Sequence, residues 1–143
     1  MNTHTIYHQL RINAKIEDVF NAVSAPEHLI NWWPLKCYGT AQKGAEYNFF
    51  FGEPYDWYGL VTECLPNKSF HITMSKSDPD WDGTTFGFDL IEMGDQTLVD
   101  FSHANWPMSN DHFKKSSFCW ALLLNGLKDY VENDVIIPFE DRA

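Results

Sequence analysis

A long amphipathic helix near the end of the chain constrains the fold more than any other feature. From about Ser109 to Asn133 the apolar residues recur with a helical period. At 100° per residue, Phe113, Trp120, Leu124, Leu127 and Val131 fall within about 40° of one line. Ser109 or Asn110 can cap the start, and Asp111 sits in the first turn, where the helix dipole favours an anion. A helix of that length spans on the order of 30 Å, the width of a small domain. Its apolar stripe therefore needs a partner surface equally long.

The residues upstream supply that surface. Six strand-like runs occupy roughly Lys36 to Thr40, Ala45 to Gly52, Asp56 to Cys64, Ser69 to Ser75, Thr84 to Glu92 and Gln96 to Ala104. Several alternate with period two: Tyr47, Phe49 and Phe51; Phe70, Ile72 and Met74; Phe86, Phe88 and Leu90; Val99, Phe101 and His103. Pro66-Asn67-Lys68 and Met93-Gly94-Asp95 read as tight turns, and short connections imply antiparallel neighbours. Thr5 to Asn13 predicts one more strand at the start. After it, Ile16, Val19, Phe20 and Val23 form a helical stripe that Ala25-Pro26 ends. Pro26 can open a second short helix reaching Trp32, which Trp33-Pro34 stops. The predicted class is α+β: strand, two short helices, six more antiparallel strands, and a long C-terminal helix packed across a curved sheet. No repeat or linker divides residues 1–143, which are expected to form a single domain.

Charge narrows the partners. The net charge is −10, so nucleic acid and anionic membrane surfaces are not expected as partners. No segment has the length and apolarity of a secretion signal or membrane span. Cys37, Cys64 and Cys119 are odd in number and far apart, which fits reduced thiols in a cytoplasmic protein rather than disulfides or a zinc knuckle. His4 and His8 are four apart but lie in a strand-like segment, at a distance too large for easy chelation. The histidines at 28, 71, 103 and 112 add no HExxH motif, and no P-loop, GxGxxG or GxSxG is present. Neither a metal nor a cofactor is expected.

Four stretches, taken in succession, resemble the START-like (SRPBCC) superfamily, and within it the small bacterial proteins similar to the C-terminal domain of the activator of Hsp90 ATPase. They are Ile16-Glu17-Asp18-Val19-Phe20 through Pro26-Glu27-His28-Leu29 to Trp32-Trp33; Gly44-Ala45-Glu46-Tyr47-Asn48-Phe49 with Tyr58-Gly59-Leu60-Val61-Thr62-Glu63 and Pro66-Asn67-Lys68; Thr97-Leu98-Val99-Asp100-Phe101-Ser102-His103; and Trp120 with Leu124, Leu127, Lys128 and Tyr130. The resemblance implies a helix-grip fold with a pocket between sheet and helix. It implies no single reaction, because that fold hosts many functions. Gly44-Ala45 replaces the usual paired glycine, and Trp81 and Trp106 lie in loops with no counterpart.

The candidate site follows from the aromatic content. Six Trp, six Tyr and eleven Phe either fill a thick core or line a pocket. As a pocket, Phe113, Ser116, Ser117 and Trp120 would face Tyr47, Phe49, Phe51, Phe86, Phe88, Phe101 and His103, with Trp32 and Trp33 at the mouth. The two serines would leave room beneath the helix for a hydrophobic or aromatic ligand, or else give clearance to a bulky neighbour. His103 would be the polar anchor, a general base in a cyclase, dehydratase or hydrolase, or a core histidine with its hydrogen bonds met. A co-chaperone-like interaction module is a further alternative. Phe118 and Leu122 point about 160–200° away from Trp120. They are expected to be covered by Val135-Ile136-Ile137-Pro138-Phe139, or to form a homodimer contact.

Overall fold

The computed structural model describes residues 2–143; Met1 lies outside them. The first strand, β1 (His4–Ile12), leads into α1 (Ile16–Ser24) and the short α2 (Pro26–Leu29). Strands β2 (Lys36–Tyr38), β3 (Glu46–Phe50), β4 (Asp56–Leu65), β5 (Ser69–Lys76), β6 (Thr85–Met93) and β7 (Gln96–Trp106) follow, then α3 (Asp111–Asn133). The strands form one seven-stranded sheet in the order β1-β7-β6-β5-β4-β3-β2. Every pairing is antiparallel. Strands β2 to β7 are a simple meander, and β1 adds itself beside β7.

The alternation sets which face is buried. Tyr47 and Phe49, Phe70, Ile72 and Met74, Phe86, Phe88 and Leu90, and Val99, Phe101 and His103 all point into the core. Glu46, Asp89 and Asp100 take the outer face, between the inward positions. This is the α+β helix-grip arrangement. The sheet curves around α3, and the two short helices close one end.

α3 begins where its cap residue allows. The Asn110 side chain accepts a hydrogen bond from the Phe113 amide at 2.9 Å, meeting one of the four unpaired amides of the first turn. Ser116, Trp120, Leu123, Leu124, Gly126 and Leu127 are its buried residues. Phe113 and Val131, at the ends of the predicted stripe, are half-buried. The helix is tied to β1 by Lys128 Nζ, which donates to the Arg11 carbonyl at 2.6 Å and to Glu132 at 2.7 Å. Glu132 also accepts from the Asn13 amide at 2.6 Å. That amide, with Lys128, holds the Glu132 carboxyl below its usual pKa. No helix among the described residues is long and apolar enough to cross a membrane.

The chain after α3 departs from the expected cover. Phe118 remains 66% exposed and Leu122 44% exposed. The segment runs instead past one turn further along α3, where Ile137 reaches Gly126 and borders a small crevice together with Leu122. It is pinned there by Arg142, whose Nε donates to the Ile137 carbonyl at 2.8 Å and whose Nη1 donates to the Ile30 carbonyl at 2.8 Å.

Candidate functional site

Beneath α3 the rings pack against each other. Trp120 lies 4.5 Å from Phe101, 4.9 Å from Trp33 and 5.6 Å from Phe86, centroid to centroid. Trp33 in turn sits 5.0 Å from Phe49 and 5.1 Å from Phe86. Phe88 meets Phe101 at 5.3 Å. These separations are those of favourable tilted and edge-on pairs, and they leave no gap for a guest at that level.

The room expected from Ser116 is taken by Trp81. Its indole stacks on Trp120 at 5.8 Å and donates to Ser116 Oγ at 3.3 Å. The serine is thus the clearance that admits a large ring. Ser117 faces the other way, with its Oγ 3.2 Å from His8 Nε2. Phe113 packs edge-on against Trp106 at 5.4 Å. Trp32 and Tyr47 anchor the short helices: the Trp32 indole donates to the Ala22 carbonyl at 2.9 Å, and the Tyr47 hydroxyl to the Ser24 carbonyl at 2.6 Å. Burial is the main cause that raises the Tyr47 pKa, and it pushes Cys37 nearby up to about 12.

His103 is fully buried, and both of its ring nitrogens are engaged. Trp120 Nε1–H donates to Nδ1 at 3.0 Å, so Nδ1 carries no proton. Nε2 then holds the proton and donates to Thr84 Oγ1 at 2.8 Å. The Thr84 hydroxyl in turn donates a hydrogen bond to the Trp81 carbonyl at 2.6 Å. The result is a closed relay, Trp120 to His103 to Thr84 to Trp81, with every buried polar atom in it paired. Burial, with a smaller contribution from His112, lowers the His103 pKa to about 3. The ring is therefore neutral, and it is absent from any open surface.

Open space lies beside this packed layer. A cleft of about 530 Å³ runs between α3, the β3–β4 turn, the loop before β6 and the segment after α3. Trp33, Phe51, Ser116 and Trp120 are the sequence-derived candidates that reach its wall. Tyr47, Phe49, Phe86, Phe88, Phe101 and His103 lie deeper, as the support beneath it; Trp32, Phe113 and Ser117 pack elsewhere.

Several wall residues escaped the sequence reading as candidates. Trp57 and Trp81 face each other at 5.1 Å, and Cys119, Leu123 and Arg142 complete the far side. Trp81 is carried by a loop that Asp82 and Asp78 organise. Asp82 Oδ1 accepts from the Ser77 amide at 2.7 Å, and the Trp81 amide donates to the Asp78 carbonyl at 2.8 Å. At the rim, His112 Nδ1 lies 2.9 Å from Asp80 and 3.6 Å from Asp78.

A curved antiparallel sheet gripping one long C-terminal helix, with a cleft opening beside that helix, defines the START-like class. Residues 13–132 match the family described as Activator of Hsp90 ATPase homolog 1-like protein, and the chain belongs to that family. It is similar to the Aha1 dimer from Colwellia psychrerythraea, solved in solution, at 30% identity and a TM-score of 0.82, covering 91% of this chain and 97% of that one. The fold also matches SSP2350 from Staphylococcus saprophyticus at 18% identity and a TM-score of 0.80, covering 94% and 96% of the two chains. CalU16 from Micromonospora echinospora matches at 19% identity and 0.78, covering 97% of this chain and 72% of that one. No curated protein matches this sequence.

Proposed function

We propose that this protein binds a small hydrophobic or aromatic molecule in the cleft beside α3. One observation carries the reading: an open volume of about 530 Å³ is walled by the rings of Trp33, Phe51, Trp57, Trp81 and Trp120. That volume falls in the range of small-molecule sites, which are mostly apolar with a few polar groups. Removing some 200 Å² of apolar ligand surface from water gains about 5 kcal/mol before ordering costs. The packed rings beneath make the wall rigid, so little conformational freedom is lost when a guest arrives.

An enzymatic alternative centred on His103 finds less support. With Nδ1 occupied by the Trp120 indole, the imidazole has no free lone pair to act as a base. The unpaired thiols of Cys37, Cys64 and Cys119 suit a reducing compartment, so we place the protein in the cytoplasm.

The test is a library of apolar and aromatic compounds followed by tryptophan fluorescence and melting temperature. Binders are expected to shift both signals in the native protein. Cys119→Trp, which puts an indole into the cleft, should abolish those shifts while leaving the far-UV circular dichroism spectrum unchanged. A library without any binder, or binders indifferent to Cys119→Trp, would remove the proposal.

A second reading concerns assembly. Phe118 is 66% exposed and Leu122 44% exposed, one turn apart on α3. The 30%-identical Colwellia protein is described as a dimer. Exposed paired apolar residues of this size mark contact surfaces, and we assign this one to a second copy of the chain.

A further inference from the structure

We infer that the cleft selects apolar carboxylic acids, with Arg142 and Lys115 as the anchors for the anion. The inference rests on the cleft being the binding site, and it names the chemistry of the ligand.

Arg142 is the observation that leads there. Its Nη1 is shared among the carbonyls of Ile30 at 2.8 Å, Trp33 at 3.3 Å and Pro34 at 3.3 Å, and its Nε goes to Ile137 at 2.8 Å. All these acceptors are neutral. Nη2 donates to no described residue, and among the described residues no carboxylate forms an ion pair with the guanidinium. Its other neighbour is the Phe139 ring, 5.8 Å from the guanidinium carbon. A half-buried cation held by carbonyls and one ring has lost hydration without gaining an opposite charge. Burial accordingly depresses its pKa, with Glu140 opposing. Arg142 borders the cleft, and its Nη2 is the nitrogen left to donate a charge-assisted hydrogen bond to a carboxylate oxygen.

Lys115 adds a second cation on the same wall, also outside any ion pair among the described residues. Of the acids on the wall, Asp78 is already engaged, accepting from the Asp80 amide at 3.0 Å and facing His112. Glu140 is exposed and makes no ion pair. In a chain of net charge −10, long-range electrostatics repel an anionic ligand. Any preference for an acid over its neutral ester must therefore come from local groups.

The experiment is calorimetric titration with naphthalene-2-acetic acid and its methyl ester, which share an apolar body and differ in charge. The acid is expected to bind the native protein about tenfold tighter than the ester. Arg142→Gln and Lys115→Gln should each cut that ratio to threefold or less. Arg142→Gln can loosen the segment after α3, so Lys115→Gln, an exposed site, tests the ratio independently. If the ester binds at least as well as the acid, or the ratio survives both substitutions, the cleft binds apolar molecules without reading charge and this inference falls alone. If neither compound binds, the ligand-binding reading falls with it.

Discussion

The neutral state of His103 makes stability depend on pH in a calculable way. Its pKa is about 3 in the folded protein against 6.5 when unfolded. The shift is downward, so the protonated form is disfavoured by folding. Above pH 6.5 neither state binds this proton and the residue contributes no slope. As pH falls below 6.5 the unfolded chain takes up a proton that the folded chain refuses, and stability is lost until pH reaches the folded value. At 1.36 kcal/mol per pH unit, the loss from this one residue is about 2 kcal/mol by pH 5. The geometry supports the direction independently, since a proton on Nδ1 would face the Trp120 Nε1–H across 3.0 Å. The assay is urea unfolding between pH 5 and 8 for the native protein and for His103→Gln. The variant is expected to be less stable at every pH, because the relay is broken, but to show the shallower pH slope. Parallel slopes would refute the reasoning. Should the variant not fold, the ring resonances of His103 decide the matter, and a titration midpoint near 6.5 in the folded protein would be fatal to it.

Two further outcomes are expected. Native protein should sediment as a dimer and Phe118→Asp as a monomer with the same melting behaviour; a native monomer, or a dimer indifferent to the change, would dispose of the α3 contact. Gly39→Ala should cost about 1–3 kcal/mol, because its Cβ would stand 2.6 Å from the ring of Tyr47, which is fully buried and held by its hydroxyl. An unchanged urea midpoint would mean that the ring yields more easily than its hydrogen bond to Ser24 implies.

The strands and α3 were legible because burial on one face imposes a period, and the period survives in the sequence as Phe86, Phe88, Leu90 or as Trp120, Leu124, Leu127. The family resemblance was legible for the same reason, since its residues sit on those elements. The filling of the space under α3 was not. Whether Ser116 leaves a void or a seat depends on a ring thirty-five positions away in sequence, as the 35-residue separation of the Trp81–Ser116 contact shows. Trp81 sits in a loop, where side-chain direction comes from hydrogen bonds to Asp78 and Asp82 rather than from any repeat. Arg142 was invisible for a similar reason: its role depends on where the segment after α3 runs, and the apolar character of Val135 to Phe139 predicted a cover over Phe118 rather than packing at Gly126. His103 was correctly placed on the inner face by alternation, but its saturation needed Thr84, which lies just outside β6 and turns inward.

The clasp between α3 and β1 has a bearing on aggregation. Strands at the margin of a sheet can recruit strands from other molecules through unmet backbone groups. Here one margin is guarded by a helix whose lysine and glutamate occupy the Arg11 carbonyl and the Asn13 amide. The opposite margin is β2, only three residues long, too brief to template an extended ladder. A strand added at the end of β1 would thus have to displace Lys128 and Glu132 first, so the contacts that clasp helix to sheet also stand in the way of strand recruitment there.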